Sequence, residues 1–130
     1  MRRAFRKKAG QVVVGVQLDL DTVGFSYQKW GAEQRCRPGD WLVNNAGEVY
    51  TINEETFAKT YRAVGQGLYE KCTVVWAEVA TQAGAIATKE GQTSYQAGDY
   101  LVYNEVDGSD GYAVAAKDFS AMYEPAPTET

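Results

Sequence analysis

Of the 130 residues in this chain none is histidine. Ser-His-Asp and Cys-His catalysis are therefore excluded, and Cys36 and Cys72, far apart in sequence, cannot close a zinc site by themselves. They read as reduced thiols of a cytosolic chain. Cys36 sits between Arg35 and Arg37, whose charges would activate it if they converged, but neighbours on a strand point to the opposite face. Carboxylates remain. Asp40 and Asp99 fall at equivalent places in two similar segments and could form a glycosidase-like pair; a Gly-Asp at the mouth of a strand is more simply a turn. Gly65-Gln66-Gly67 lacks the lysine and the strand-to-helix setting of a phosphate loop. Glu105 to Asp110 lacks the calcium-loop pattern. No catalytic residue, metal ligand or cofactor is expected, and the chain reads as a non-enzyme. The candidate ligand-binding residues are Tyr27, Trp30, Tyr95 and Tyr103, aromatics at strand ends where an exposed ring can stack on a ligand. Cross-strand packing is the structural alternative.

Charge narrows the partners. Five of the thirteen basic residues lie in the first eight positions, leaving eight against seventeen acids in the body. Such a body repels phosphate, so duplex nucleic acid is not an expected partner. The basic segment 1–8 reads as a solvated terminus leading into the first strand. It resembles the start of a signal peptide, but Gln17 and Asp19 interrupt the apolar stretch that follows, and no run reaches the ~18 apolar residues of a membrane span. The expected location is cytoplasmic, with no membrane partner.

The elements that would position these residues follow from periodicity. Val12, Val14, Val16, Leu18 and Leu20 share one parity, which predicts a strand burying that face. Phe25 and Tyr27 continue a period of two. Arg37-Pro38-Gly39-Asp40 is a turn, Trp41 to Val43 a strand, and Val49 to Ile52 its hairpin mate. Asn53 is a suitable N-cap, with Glu54 and Glu55 in the first turn, for a helix presenting Phe57, Tyr61 and Val64 on one face. Cys72 to Val79 predicts a further strand. Strands through Ile86, Tyr100–Asn104 and Tyr112–Val114 follow, then a helix over Ala116–Tyr123 without an Asn cap.

These elements occur twice. Arg37-Pro38-Gly39-Asp40-Trp41-Leu42-Val43-Asn44-Asn45 returns as Gln96-Ala97-Gly98-Asp99-Tyr100-Leu101-Val102-Tyr103-Asn104, and Tyr50, Ile52, Phe57 and Tyr61 return as Tyr112, Val114, Phe119 and Tyr123. The extra residues of the second copy fall in the polar loop Glu105–Gly111, as expected when one structural unit is used twice. The fold class is therefore α+β: two tandem pseudo-symmetric β-hairpin-plus-helix modules with antiparallel sheets. The basic segment 1–8 precedes module 1 (9–64) and module 2 (69–125), with a disordered tail at 126–130. Trp41, Leu42, Phe57 and Tyr61 are expected to form one core with Tyr100, Leu101, Phe119 and Tyr123.

The segments Phe5-Arg6-Lys7-Lys8, Val12-Val13-Val14-Gly15-Val16, Pro38-Gly39-Asp40-Trp41-Leu42-Val43, Gly47-Glu48-Val49-Tyr50 and Phe57-Ala58-Lys59-Thr60-Tyr61 resemble a group of small phage and prophage proteins. The second half resembles them again through Tyr69-Glu70-Lys71, Gly98-Asp99-Tyr100-Leu101-Val102 and Phe119 to Glu124. The chain departs from that pattern in its duplication, in lacking Pro after Lys8, and in Ala97. The resemblance implies a fold and a mobile-element setting, and assigns no catalytic residue.

The leading expectation is thus a small non-enzymatic binding module that contacts a protein or small ligand through its sheet surface or the cleft between repeats. The alternatives are an assembly protein acting through homo-oligomerisation and a hydrolase using carboxylates alone. A symmetric homodimer is expected, with the open strand Val12–Leu20 or the helices at the contact; packing of the two repeats against each other within one chain is the rival.

Overall fold

A computed structural model describes residues 2–19 and 21–127. Leu20, the end of the expected first strand, and 128–130 of the expected disordered tail lie outside the described residues. The described chain is mainly antiparallel β with two one-to-two-turn helices. Its order is β1 (Arg3–Lys7), β2 (Val12–Gln17), β3 (Phe25–Lys29), β4 (Ala32–Cys36), β5 (Trp41–Asn45), β6 (Glu48–Ile52), α1 (Glu54–Thr60), β7 (Tyr61–Gly65), β8 (Leu68–Lys71), β9 (Val75–Val79), β10 (Gly84–Ala87), β11 (Gln92–Tyr95), β12 (Tyr100–Tyr103), β13 (Gly111–Val114), α2 (Ala116–Met122) and β14 (Tyr123–Pro125). No described helix is long and apolar enough to cross a membrane.

Two five-stranded sheets carry the fold, ordered β6-β5-β2-β8-β7 and β13-β12-β9-β1-β14, with the hairpins β3-β4 and β10-β11 beside them. Each sheet takes one strand from the far part of the chain. Strand β1 lies between β9 and β14, with Phe5 opposite Val75 and Lys7 opposite Tyr123. Strand β8 lies between β2 and β7, with Tyr69 opposite Val13 and Lys71 opposite Tyr61. Neither sheet is drawn wholly from 9–64 or from 69–125. The basic start is therefore not a solvated terminus: Phe5 is buried among Val75, Ala77, Val102 and Phe119, Arg3 to Phe5 pair with β9, and Phe5 to Lys7 pair with β14.

Strand β2 alternates as expected, but on the opposite face. Val13 is 2% exposed, whereas Val12, Val14 and Val16 are 41–55% exposed. Gly15 decides the orientation: a Cβ there would lie 3.3 Å from the Tyr69 ring and 3.6 Å from Trp41, so the inner face at this point is filled by rings from neighbouring strands. With β5 on one side and β8 on the other, β2 is also no edge, which removes the reason for expecting a dimer contact along it.

There are two cores, not one. The first packs Val13, Val43 and Phe57 with Trp41, Tyr61 and Tyr69; the second packs Phe5, Val75, Val102, Phe119 and Tyr123 with Tyr100. Phe57 stacks at 4.0 Å on Trp41 and 4.6 Å on Tyr61. Phe119 stacks at 4.0 Å on Tyr100 and 4.7 Å on Tyr123. Leu42 and Leu101, expected inside, are on the outer faces because the residues flanking them in each strand point in.

Asn53 caps α1 as expected, its side chain accepting from the N–H groups of Glu55 and Thr56. The helix stops at Thr60, however, and Tyr61 has extended geometry (φ −119°, ψ 151°). The four-residue spacing of Phe57 and Tyr61 comes from rings stacked across a helix-to-strand junction, and Val64 is an exposed strand residue. Helix α2 likewise ends at Met122, with Tyr123 opening β14, and has no side-chain cap. The single strand expected over Cys72–Val79 begins at Val75, and the polar strands β4 and β11 were not read from periodicity.

Candidate anion-binding cleft

The four aromatic candidates do not form one site. Tyr27, on β3, donates or accepts a 2.6 Å hydrogen bond with the Thr51 hydroxyl and accepts from the Thr51 N–H. Trp30 is at the β3-β4 tip, where its left-handed backbone (φ +58°) precedes Gly31, and its ring lies 5.4 Å from Tyr50. Both serve to hold the hairpin on the first sheet. Tyr103, on β12, lies under the Arg2 guanidinium at 5.0 Å, and Tyr95 ends β11. All four are half-buried. The cross-strand alternative describes them better than a shared ligand platform does.

Asp40 and Asp99 do not meet as a catalytic pair either. Asp40 accepts from the N–H of Arg37 across its turn and from the N–H of Glu54 at the start of α1. Asp99 accepts from Gln96 N–H in the matching turn and, at 3.4 Å, from Ala116 N–H. Each carboxylate is committed to its own turn and helix. Cys36 is wholly buried, and burial pushes its thiol up, away from reactivity. Cys72 is exposed. Among the described residues no cluster of cysteines and carboxylates is placed to hold a metal ion.

A different set of residues converges. Where the β1-β2 and β8-β9 connections pass each other, an open cleft of about 530 Å³ is lined by Arg6, Lys7, Lys8, Arg62, Lys71 and Thr73, among others. Two of the cations are matched: Arg6 binds Glu124 at 2.8 Å, and Arg62 binds Glu70. Lys7, Lys8 and Lys71 have no carboxylate within 4.0 Å among the described residues. Lys8 Nζ donates to the Ser120 carbonyl at 2.8 Å. Lys7 Nζ has only the Met122 thioether at 3.7 Å and the Tyr123 ring at 5.2 Å. Lys71 is buried, donates to Asn104 Oδ1 at 2.6 Å and to the Tyr112 hydroxyl at 2.9 Å, and lies near the Tyr112 and Tyr61 rings. Thr73 Oγ1 is buried without a hydrogen-bond partner.

Strand geometry explains why these lysines point in. On β1, Ala4 and Arg6 face outward while Phe5 and Lys7 face the core; on β8, Tyr69 and Lys71 do the same. A buried ammonium without a counter-ion is expensive, and both groups respond by favouring the neutral amine. Burial lowers Lys7 to about 8. Burial, and then the neighbouring Lys7 charge, lower Lys71 to about 7. Around them Tyr61, Tyr112 and Tyr123 are all raised, first by burial, so their hydroxyls remain protonated donors. Glu70 and Glu124 also line the cleft, each held by its arginine, so the donors left without a carboxylate partner are Lys7, Lys8, Lys71 and the Thr73 hydroxyl. The inward lysines were readable as charges on a buried parity, but only once β1 was recognised as a strand. No family model, no curated protein and no solved structure matches this chain.

Proposed function

We propose that this protein is a non-enzymatic binding module of phage or prophage type, acting in the cytoplasm, that holds a small anion in the cleft between two copies of one folding unit. The observation that carries this reading is the pair Lys7 and Lys71, two inward-facing amines without a carboxylate partner at the wall of an open cleft. An anion there would supply the missing counter-charge, with Lys8 and the unpartnered Thr73 hydroxyl as further donors. The duplication is supported by matched register: Gly15 pairs with Val43 as Ala77 pairs with Val102, and Tyr61 pairs with Lys71 as Tyr123 pairs with Lys7. In this reading each module lends its first strand to the other, so the cleft exists only where both copies meet. The body's negative charge selects a small anion over duplex nucleic acid.

Thermal unfolding in phosphate against chloride at constant ionic strength tests the proposal. A ligand at ten times a Kd of ~1 mM adds about 1.4 kcal/mol, roughly 4–6 °C for a domain of this size. No phosphate-specific rise at concentrations up to ~50 mM would refute it.

The assembly reading has one observation of its own. The outer face of the first sheet exposes Val12, Val14, Val16, Val64 and Leu68. Contiguous apolar surface of this kind marks contact sites, and a mass above 14.3 kDa that rises with concentration would favour homo-oligomerisation.

A further inference from the structure

Lys7 and Lys71 are equivalent in register but not in chemistry. Lys71 Nζ is enclosed and held by two oxygen acceptors, whereas Lys7 is only partly covered, lines the cleft, and has a weak sulfur acceptor as its sole hydrogen-bond partner. An amine so placed keeps its lone pair free for chemistry. Besides Lys71, Lys8 is the further cation of the lining without a carboxylate partner; Arg6 and Arg62 are paired with Glu124 and Glu70, which line the cleft with them. We propose that the ligand class of the cleft includes anionic aldehydes, which Lys7 captures reversibly as an imine while Lys8 holds the anionic group. The proposal rests on the anion-binding reading and narrows its ligand.

The step balances without a co-reactant. The neutral Lys7 nitrogen adds its lone pair to the carbonyl carbon, and the C=O π electrons move to oxygen. Two protons pass from nitrogen to that oxygen, water leaves, and the C=N bond remains. Burial makes the neutral amine available: with Lys7 lowered from 10.5 to about 8, its unprotonated fraction at pH 7 is roughly a hundredfold or more above that of a solvated lysine. Lys71 is lowered further but is already bonded to Asn104 and Tyr112, so it does not compete.

Pyridoxal 5′-phosphate, used here as an anionic aldehyde probe, tests this on the full chain. After brief exposure at pH 7, borohydride reduces any imine to a stable secondary amine, and peptide mass spectrometry locates it. The expected result is an adduct at Lys7 formed at least about tenfold faster than at the exposed Lys59, reflecting its larger neutral fraction. Inorganic phosphate should slow it, and propanal, which lacks the anion, should label Lys7 poorly. Lys7→Met should remove the adduct, and phosphate competition on the unaltered chain serves if that variant does not fold. Equal labelling of Lys7 and Lys59 overturns the proposal. If phosphate still raises the melting temperature in that case, the imine fails and the anion site stands. If phosphate neither stabilises nor competes, the anion-binding reading fails with it. Labelling of Lys7 that is indifferent to phosphate and equal with propanal overturns the anionic class.

Discussion

Replacing Lys71 by methionine should change how stability depends on pH. Lys71 drops from 10.5 when unfolded to about 7 when folded, and Lys7 to about 8. Between those values the native state holds fewer protons than the unfolded chain. Stability must therefore rise with pH from about 7 upward and level off as the unfolded lysines lose their protons near 10.5. Near pH 9 both groups are neutral in the native state and charged in the unfolded one, so together they contribute a slope of about 2.7 kcal/mol per pH unit. Lys71→Met removes half, leaving about 1.4. The raised Cys36 thiol acts in the opposite sense near this pH, but equally in both proteins, so the difference between them isolates Lys71. Absolute stability at pH 6 is a poorer readout: removing the buried charge gains up to about 5 kcal/mol on the same shift. Orphaning Asn104 Oδ1 costs roughly 1–3 kcal/mol, whereas the Tyr112 hydroxyl keeps its bond to Tyr123. Urea unfolding at pH 8.0, 8.5 and 9.0 measures the slopes. Equal slopes for both proteins would mean that Lys71 keeps its proton in the fold, refuting the argument from burial.

Further outcomes follow from the same geometry. Phe5→Ala, although close to the start of the chain, should cost about 3–5 kcal/mol in denaturant unfolding, because Phe5 packs edge-on against Phe119 at 4.9 Å; a cost under ~1 kcal/mol would place β1 outside the core. Phe57→Ala and Phe119→Ala should each cost a similar ~3–5 kcal/mol, since each is 2–3% exposed at the centre of its ring cluster. Phosphate affinity should fall as pH rises from 7 to 9, because binding favours protonated Lys7 and Lys71; calorimetry in buffers of different ionisation enthalpy should show proton uptake.

The turns, the Asn53 cap, the hairpins β5-β6 and β12-β13 and both helices were legible because each rests on local chemistry: Pro38, Gly39 and Asp40 in a turn, or Asn53 ahead of two glutamates. What was not legible depended on partners far away in sequence. Arg3-Ala4-Phe5-Arg6-Lys7 has one large apolar residue and reads as a tail, yet Phe5 fills the second core. The inner face of β2 was misread because valines stand on both parities, and Gly15, which pattern analysis skips, chose the face by admitting the Tyr69 ring. Tyr61 looked helical because a stack on Phe57 across the helix end has the same spacing as one along a helix. The cleft was hidden for the same reason as β1. A lysine on the buried parity conflicts with the rest of the strand, and such local conflicts are where function tends to sit.

The central claim is that a small anion binds between Lys7, Lys8, Lys71 and Thr73. Amide chemical shifts recorded while inorganic phosphate is added at pH 6.5 and fixed ionic strength test it directly. The predicted result is saturable movement confined to the connections 8–11 and 72–74 and to the neighbouring ends of β1 and β8, lost in a Lys7→Met, Lys8→Gln double variant that remains folded. Shifts scattered over the surface without saturation, or a saturable response located elsewhere, would contradict it.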